Sequence, residues 1–283
     1  MTLQLVDIFP DSTFCENLNV SLDAKHNSYM DVDLEERNVV KFDPPVSTQR
    51  YKATYDILAK APDVTSVVDF GCASGHFLKF LKRLEQVTDI ALVDTSYGCL
   101  DEAWRLARPL VWECLNRRAR NLSIKLYCGS VAHKDTRLRH FDAVTCIELI
   151  EHLQQEDLLL LPETIFDHVS PKIAVITTPN KDFNVVFPNM QGMRHWDHKF
   201  EWTREEFQQW CSKIVQRYPD YTVDYSGVGD APSSEFEGVG HCSQIAIFVR
   251  RNSTTPNNNN RDPAVADNLI YDLVTECIHP GRD

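Results

Sequence analysis

Apolar, β-branched runs alternate with longer stretches of helical spacing, and this alternation constrains the fold more than any other feature of the chain. SVVDFGC (66–72), DIALVDTS (89–96), SIKLYCGS (123–130), FDAVTCIEL (141–149) and KIAVITTPN (172–180) read as five buried strands. Between them, GHFLKFLKRL (75–84) and CLDEAWRLARPLVWECLNRRA (99–119) carry helical periodicity, the second interrupted near Pro109. DLLLLPETIFDHV (157–169) reads as a helix with Pro162 near its first turns. Strands apolar on both faces need cover on both faces, so the pattern predicts an α/β fold: a mostly parallel sheet with helices on both sides. TREEFQQWCSKIVQRYP (203–219) opens with Thr203 and, three residues on, Glu206, the spacing of a capping box. TVDYSGV and QIAIFVRR then supply two closing strands, close enough to pair antiparallel, for seven in all.

The ends depart from this pattern. Residues 1–40 are polar and irregular, 41–250 hold the domain, and RNSTTPNNNNRDPA (251–264) has the composition of a disordered linker. NLIYDLVTECI (268–278) is expected to be a short amphipathic helix, either packed on the domain or exposed for docking. No apolar run is long enough to span a bilayer, and the N-terminus has no basic n-region. The nine cysteines include no C-x-x-C pair, which suits free thiols in a reducing compartment. The expectation is a soluble, cytoplasmic protein without membrane contact.

The net charge of −12 disfavours non-specific binding to long duplex nucleic acid, which rests on phosphate neutralisation. A short nucleic-acid segment in a local basic groove remains compatible with it. Basic residues cluster at Lys79, Lys82 and Arg83, at Arg117, Arg118 and Arg120, and at Arg194, Lys199 and Arg204; for the first two clusters a solvated helix face is the plainer explanation.

VVDFGCASGHF sets Asp69 at the end of the first strand, with Gly71 and Gly75 around a tight turn into a helix. Such a turn lets backbone approach a ligand and points helix N-terminal amides at it. Asp94 ends the second strand, where a carboxylate can accept both ribose hydroxyls of a nucleoside, and Ser130 ends the third, beside the expected adenine edge. The D-x-G-x-x-x-G pattern resembles the class I S-adenosylmethionine-dependent methyltransferases, with a Rossmann-like fold.

CIELIEHL (146–153) raises a second point: a buried strand seldom ends in two carboxylates and an imidazole. If the chain turns helical there, Glu148, Glu151 and His152 fall at i, i+3 and i+4 on one face. That face is either solvated or a metal site. HWDHKFEW (195–202) offers a further imidazole in His198, with His195 as the competing candidate and Asp197 as a partner that could orient a ligand. Two carboxylates and two imidazoles suit Mn²⁺, Co²⁺, Fe²⁺ or Zn²⁺ better than oxygen-seeking Mg²⁺.

KFDPPVSTQRY (41–51), CIELIEHL, TTPN (177–180) and DHKFEWTREEF (197–207) together resemble the animal small-RNA 3′-terminal 2′-O-methyltransferases, which modify Piwi-interacting RNAs. The resemblance covers roughly residues 40–250. It implies methyl transfer from S-adenosylmethionine to the 2′-hydroxyl at the 3′ end of single-stranded small RNA. It also implies one divalent cation, Mg²⁺ or Mn²⁺, held by Glu148, Glu151, His152 and His198, with a Piwi-class Argonaute as partner to a monomeric enzyme. Plant relatives carry a second His after the E-H pair where this chain has Leu153, so no catalytic group is assigned beyond the metal ligands. Arg50 and Arg194 are candidate phosphate contacts. Phe42, Pro44, Pro45 and Gln49 form either the substrate-side lip or a loop packed over the cofactor pocket. The rival functions are a catechol-type diol O-methyltransferase and a non-catalytic nucleotide-binding scaffold.

Overall fold

The computed structural model describes residues 40–188, 190–251 and 268–282; the expected N-terminal extension and most of the Asn-rich linker lie outside them. Eight strands form one sheet in the order β6-β7-β5-β4-β1-β2-β3-β8. They are β1 (Ser66–Phe70), β2 (Asp89–Asp94), β3 (Leu122–Cys128), β4 (Ala143–Ile147), β5 (Ile173–Pro179), β6 (Tyr221–Val228), β7 (Ser243–Arg250) and β8 (Asp272–His279). The first five are parallel, and β7 enters antiparallel between β5 and β6.

Pleating sends alternate residues to opposite faces. Val67 packs on one side with Leu58 of α1 (Val46–Ala59), Leu78 of α2 (Leu78–Leu81) and Leu100 of α3 (Tyr97–Ala107). Val68 and Phe70 pack on the other, with Leu161 of α5 (Gln155–Pro162) and Phe207 and Ile214 of α6 (Arg204–Arg217). The interruption near Pro109 separates α3 from the short α4 (Val111–Leu115). The Thr203–Glu206 capping box forms as its spacing predicts.

Three expectations need correction. Pro162 ends α5 rather than lying near its start, and the chain continues as a π-helical segment, Glu163–Val169. Proline has no N–H to extend the α ladder, which suits the change of helical pitch at that residue. The predicted helix at 268–278 is a strand, so the sheet has eight strands rather than seven. Apolar residues at both helical and alternating positions left that segment ambiguous. The open edge of β3 decides it: β8 pairs antiparallel along all of β3, with Cys277 and His279 turned inward. Finally, the end of β4 leads into a single 3₁₀ turn, Ile150–His152, and not into an α-helix.

The strand order reverses at β1, whose neighbours are β2 and β4. Open α/β sheets form their ligand crevice at such a switch point, beyond the carboxyl ends of the strands.

Candidate active site

At the switch point Asp69 of β1 sits opposite Thr145 of β4, whose hydroxyl donates to its carboxylate at 2.6 Å. Asp69 is only 3% exposed, and burial pushes its carboxyl up to about 7. Above it the chain turns sharply through Gly71, at φ +70°, where a Cβ would lie 2.6 Å from Leu149 Cδ1. Gly75, at φ +74°, leaves no room beside Ala103, 2.9 Å from its would-be Cβ. Both positions require glycine on conformation and on space.

Asp94 knits this turn to β2. One carboxylate oxygen accepts from the Ala73 amide and the other from the Ser96 amide, each at 2.9 Å. Each oxygen keeps acceptor capacity, so this arrangement fits a carboxylate that also receives ribose hydroxyls. Ser130 closes the third side. Its hydroxyl accepts from the Ala132 amide, and its carbonyl accepts from the Tyr271 hydroxyl at 2.7 Å. Tyr271, just ahead of β8, was not anticipated as part of this wall.

The second cluster begins at Glu148, held at φ +51°. A non-glycine residue in this region is uncommon and marks a constrained position. Its amide and carboxylate both engage the Thr177 hydroxyl, Ser243 donates to the same carboxylate, and Arg50 lies 3.4 Å away. Glu151 is fully buried. Thr178 donates to its Oε2 at 3.0 Å, while Oε1 has no partner. Burial, with the Glu148 charge adding to it, pushes the Glu151 carboxyl well above the usual carboxylate range.

The imidazoles have carboxylate partners of their own. His152 Nδ1 faces Asp197 at 3.1 Å, as the sequence suggested for that aspartate. Burial lowers the His152 pKa, against the opposing bond to Asp197. His198 Nδ1 faces Glu201 at 2.7 Å. Burial raises the Glu201 pKa, but the bonds from His198, Asn184 and the Arg194 amide outweigh it and hold the carboxyl below its ordinary value. Carboxylates only accept, so each ring presents Nδ1–H to its partner and keeps a lone pair on Nε2, the arrangement of metal-binding histidines. Glu201 was not singled out from the sequence; its place three residues after His198 was the available signal.

Among the described residues, the potential ligand atoms lying within 4.8 Å of one another belong to His152, His195 and His198. Neither Glu148 nor Glu151 joins that group; Glu148 is drawn to Arg50, and Glu151 is tied to Thr178. The donor set fits a divalent cation, since the buried Glu151 Oε1 lacks a partner beside a second carboxylate and either a proton or a metal ion would relieve it.

Arg194 is tied into the fold around it. Its guanidinium donates to Asn184 Oδ1 and to the carbonyls of Cys242 and Asn180, so each of its three nitrogens has a partner within the fold. Gln49, in the first turn of α1, bridges the Pro44 carbonyl and the Gly229 amide, and Phe42 packs on Phe183, so this segment is anchored to the loops around it. Lys79, Lys82, Arg83 and Arg118 line a cavity of about 480 Å³ that includes Leu122 and His279, at the end of the sheet opposite the site. There Lys82 pairs with Glu113, and Arg118 caps the carbonyls of Lys82, Leu84 and Val87.

This geometry has known counterparts. The family model described as a methyltransferase domain matches residues 47–218. A Drosophila melanogaster small RNA 2′-O-methyltransferase is 44% identical over 220 residues, 75% of this chain and 56% of its own length. The methyltransferase domain of bacterial CtHen1-C is 30% identical with a TM-score of 0.60, covering 73% of this chain and 99% of that one. The chain belongs to the small RNA 2′-O-methyltransferase family. A further solved structure, the small RNA methyltransferase HEN1, is 33% identical with a TM-score of 0.68, over 86% of this chain and 28% of that one. The chain spans little more than half the length of the Drosophila relative. Its fold is that of the S-adenosylmethionine-dependent methyltransferases. Among the described residues, no helix is long and apolar enough to cross a membrane.

Proposed function

We propose that this small RNA 2′-O-methyltransferase family member transfers the methyl group of S-adenosylmethionine to the 2′-hydroxyl at the 3′ end of single-stranded small RNA. The observation that carries the reading is the partnerless, buried Oε1 of Glu151 in the same short turn as His152, with the Nδ1 atoms of His152 and His198 tied to carboxylates. Glu148, Glu151, His152 and His198 would hold a divalent cation, with Mn²⁺ or Co²⁺ better suited than Mg²⁺ to the two nitrogen donors. Such an ion supplies Lewis acidity, lowering the pKa of a coordinated hydroxyl.

The chain's own residues do the rest. Asp94 accepts from the cofactor's ribose, Gly71 and Gly75 let the backbone close on its methionyl portion, and Ser130 borders the base. Asp197 and Glu201 fix the two imidazole rings, and Thr177, Thr178 and Ser243 fix the two carboxylates. Arg50, already at 3.4 Å from Glu148, is the cation available to a terminal phosphate. Acceleration then comes mainly from holding the 2′-oxygen in line with the methyl group. The substrates named by this reading are Piwi-interacting RNAs, presented in the cytoplasm by a Piwi-class Argonaute to a monomeric enzyme.

The test is methyl transfer from labelled S-adenosylmethionine to short single-stranded RNAs that differ only at the 3′ end. The diol end should react with added Mn²⁺, the 2′-deoxy end should be inert, and the 3′-deoxy end should be much slower. Equal single-turnover rates for diol and 3′-deoxy ends would remove any role for chelation of both hydroxyls. Transfer to a catechol but not to RNA would favour the small-molecule reading.

A further inference from the structure

The three histidines invite a three-imidazole metal site, yet their hydrogen bonds divide them. His195 Nδ1 faces the backbone amide of Asp197 at 3.2 Å, not a carboxylate. A backbone N–H can only donate, so this nitrogen is the acceptor and carries the lone pair. In the neutral ring the proton then sits on Nε2. His152 and His198 have the opposite tautomer, because their Nδ1 atoms face Asp197 and Glu201 carboxylates. Two rings therefore offer Nε2 lone pairs to a cation, while the third offers an N–H.

The loop keeps that N–H beside the site. The His198 amide donates to the His195 carbonyl, closing a turn that holds the two ring centroids 5.5 Å apart, and His195 lies 5.9 Å from the His152 ring. His198 is buried and His195 is exposed. Next to it Trp196 is 87% exposed, with its indole 5.4 Å from the His195 ring. An indole left in water beside a directed N–H matches the surface of an unpaired nucleotide. Its base presents a π-face, and its sugar and phosphate present oxygens that accept hydrogen bonds.

We propose that His195 and Trp196 form an acceptor-end clamp, His195 donating Nε2–H to a ribose or phosphate oxygen of the terminal nucleotide and Trp196 stacking on a base. His195 is thus a substrate-positioning residue and not a third metal ligand. The assignment rests on the RNA-methylation reading above.

Two measurements on the full chain test it: calorimetric titration with Mn²⁺, and steady-state methyl transfer to single-stranded RNA with saturating cofactor and Mn²⁺. His195→Ala should leave Mn²⁺ affinity within about twofold of wild type, whereas His198→Ala should abolish binding. His195→Ala and Trp196→Leu should each raise KM for RNA about tenfold with a smaller change in kcat. His195→Gln, which keeps an N–H donor, and Trp196→Phe, which keeps an aromatic face, should recover most of the loss. Loss of Mn²⁺ affinity in His195→Ala to match His198→Ala would make His195 a ligand and overturn the assignment. Unchanged KM in both His195→Ala and Trp196→Leu would overturn the clamp while leaving the RNA reading intact. A wild-type chain that is inert on RNA would instead sink the RNA reading, and the clamp with it.

Discussion

His198 and Glu201 are bonded to each other inside the loop after β5, Nδ1 to Oε1 at 2.7 Å, and both are buried. Glu201 also receives the Asn184 side chain and the Arg194 amide, so one carboxylate fixes both the ring and the loop that carries it. Glu201→Ala should therefore lower Mn²⁺ affinity by about 10- to 100-fold, the usual cost of losing a group that orients a metal-binding histidine. Calorimetry with Mn²⁺ and with S-adenosylmethionine checks this, since cofactor affinity should hold.

Cation binding should also stabilise the fold. Glu151 is a buried carboxylate with a raised pKa, and an ion binding only the folded chain adds about 2.7 kcal/mol at a hundred times its Kd. Melting temperature should rise with Mn²⁺ and fall back with EDTA. Protons compete with the ion at Glu151, so the increment should shrink as pH falls. Glu151→Gln should lose most of the increment, and an undiminished rise in that variant would count against the site.

Asp69 gives a pH signature with the opposite sense to most carboxylates. Its carboxyl titrates near 7 in the folded chain against 3.8 ordinarily, so between these values the folded chain binds the extra proton. Its contribution to stability is full below the lower value and is lost as pH rises through the upper one. Asp69→Asn keeps an oxygen for Thr145 and removes the titration. The variant should gain melting temperature relative to wild type from about pH 4 to about pH 8, by the equivalent of roughly 1–4 kcal/mol. A constant difference across that range would refute the burial argument.

Asp94→Ala should weaken S-adenosylmethionine binding by roughly 1.5–3 kcal/mol for each bond lost to the charged group. It also strips the acceptor from the amides of Ala73 and Ser96, so part of the loss should come from a looser turn. Asp94→Asn, which can still accept, should lose less in the same titration.

Removal of residues 268–283 should destabilise the domain, because β8 completes the sheet and Tyr271 braces the loop that carries Ser130. Tyr271→Phe isolates the hydroxyl and should cost about 1 kcal/mol. Thermal melts of both chains decide whether the strand contributes as its pairing indicates.

Much of this architecture was legible because its signals are local. The apolar runs located β1 to β5, and the spacing of Asp69, Gly71, Gly75 and Asp94 located the turn between β1 and β2. What escaped depended on distant partners. Asp272–His279 carries both helical and alternating patterns, and only the unpaired edge of β3, some 150 residues earlier, selects the strand. Glu148, Glu151 and His152 are placed by a left-handed residue and a 3₁₀ turn, which helical spacing cannot foresee. Arg194 looked like a free cation because the carbonyls it satisfies, at Asn180 and Cys242, come from other elements. Thr177, Thr178 and Ser243 draw their roles from the register of β5 against β7, and that register is set by pairing alone.

The pairing of β3 with β8 also orders events during synthesis. β3 ends at Cys128, yet the residue paired with Leu122 is His279, so a nascent chain has an unsatisfied sheet edge while the next 150 residues or so emerge. At ribosomal speeds of about 5–20 residues per second, that interval lasts on the order of ten seconds. Ser123 and Lys125, polar residues on this strand, ultimately meet Glu276. Until then they put polarity on an edge that is otherwise an open template for another chain. The arrival of β8 thus also ends a window for mispairing.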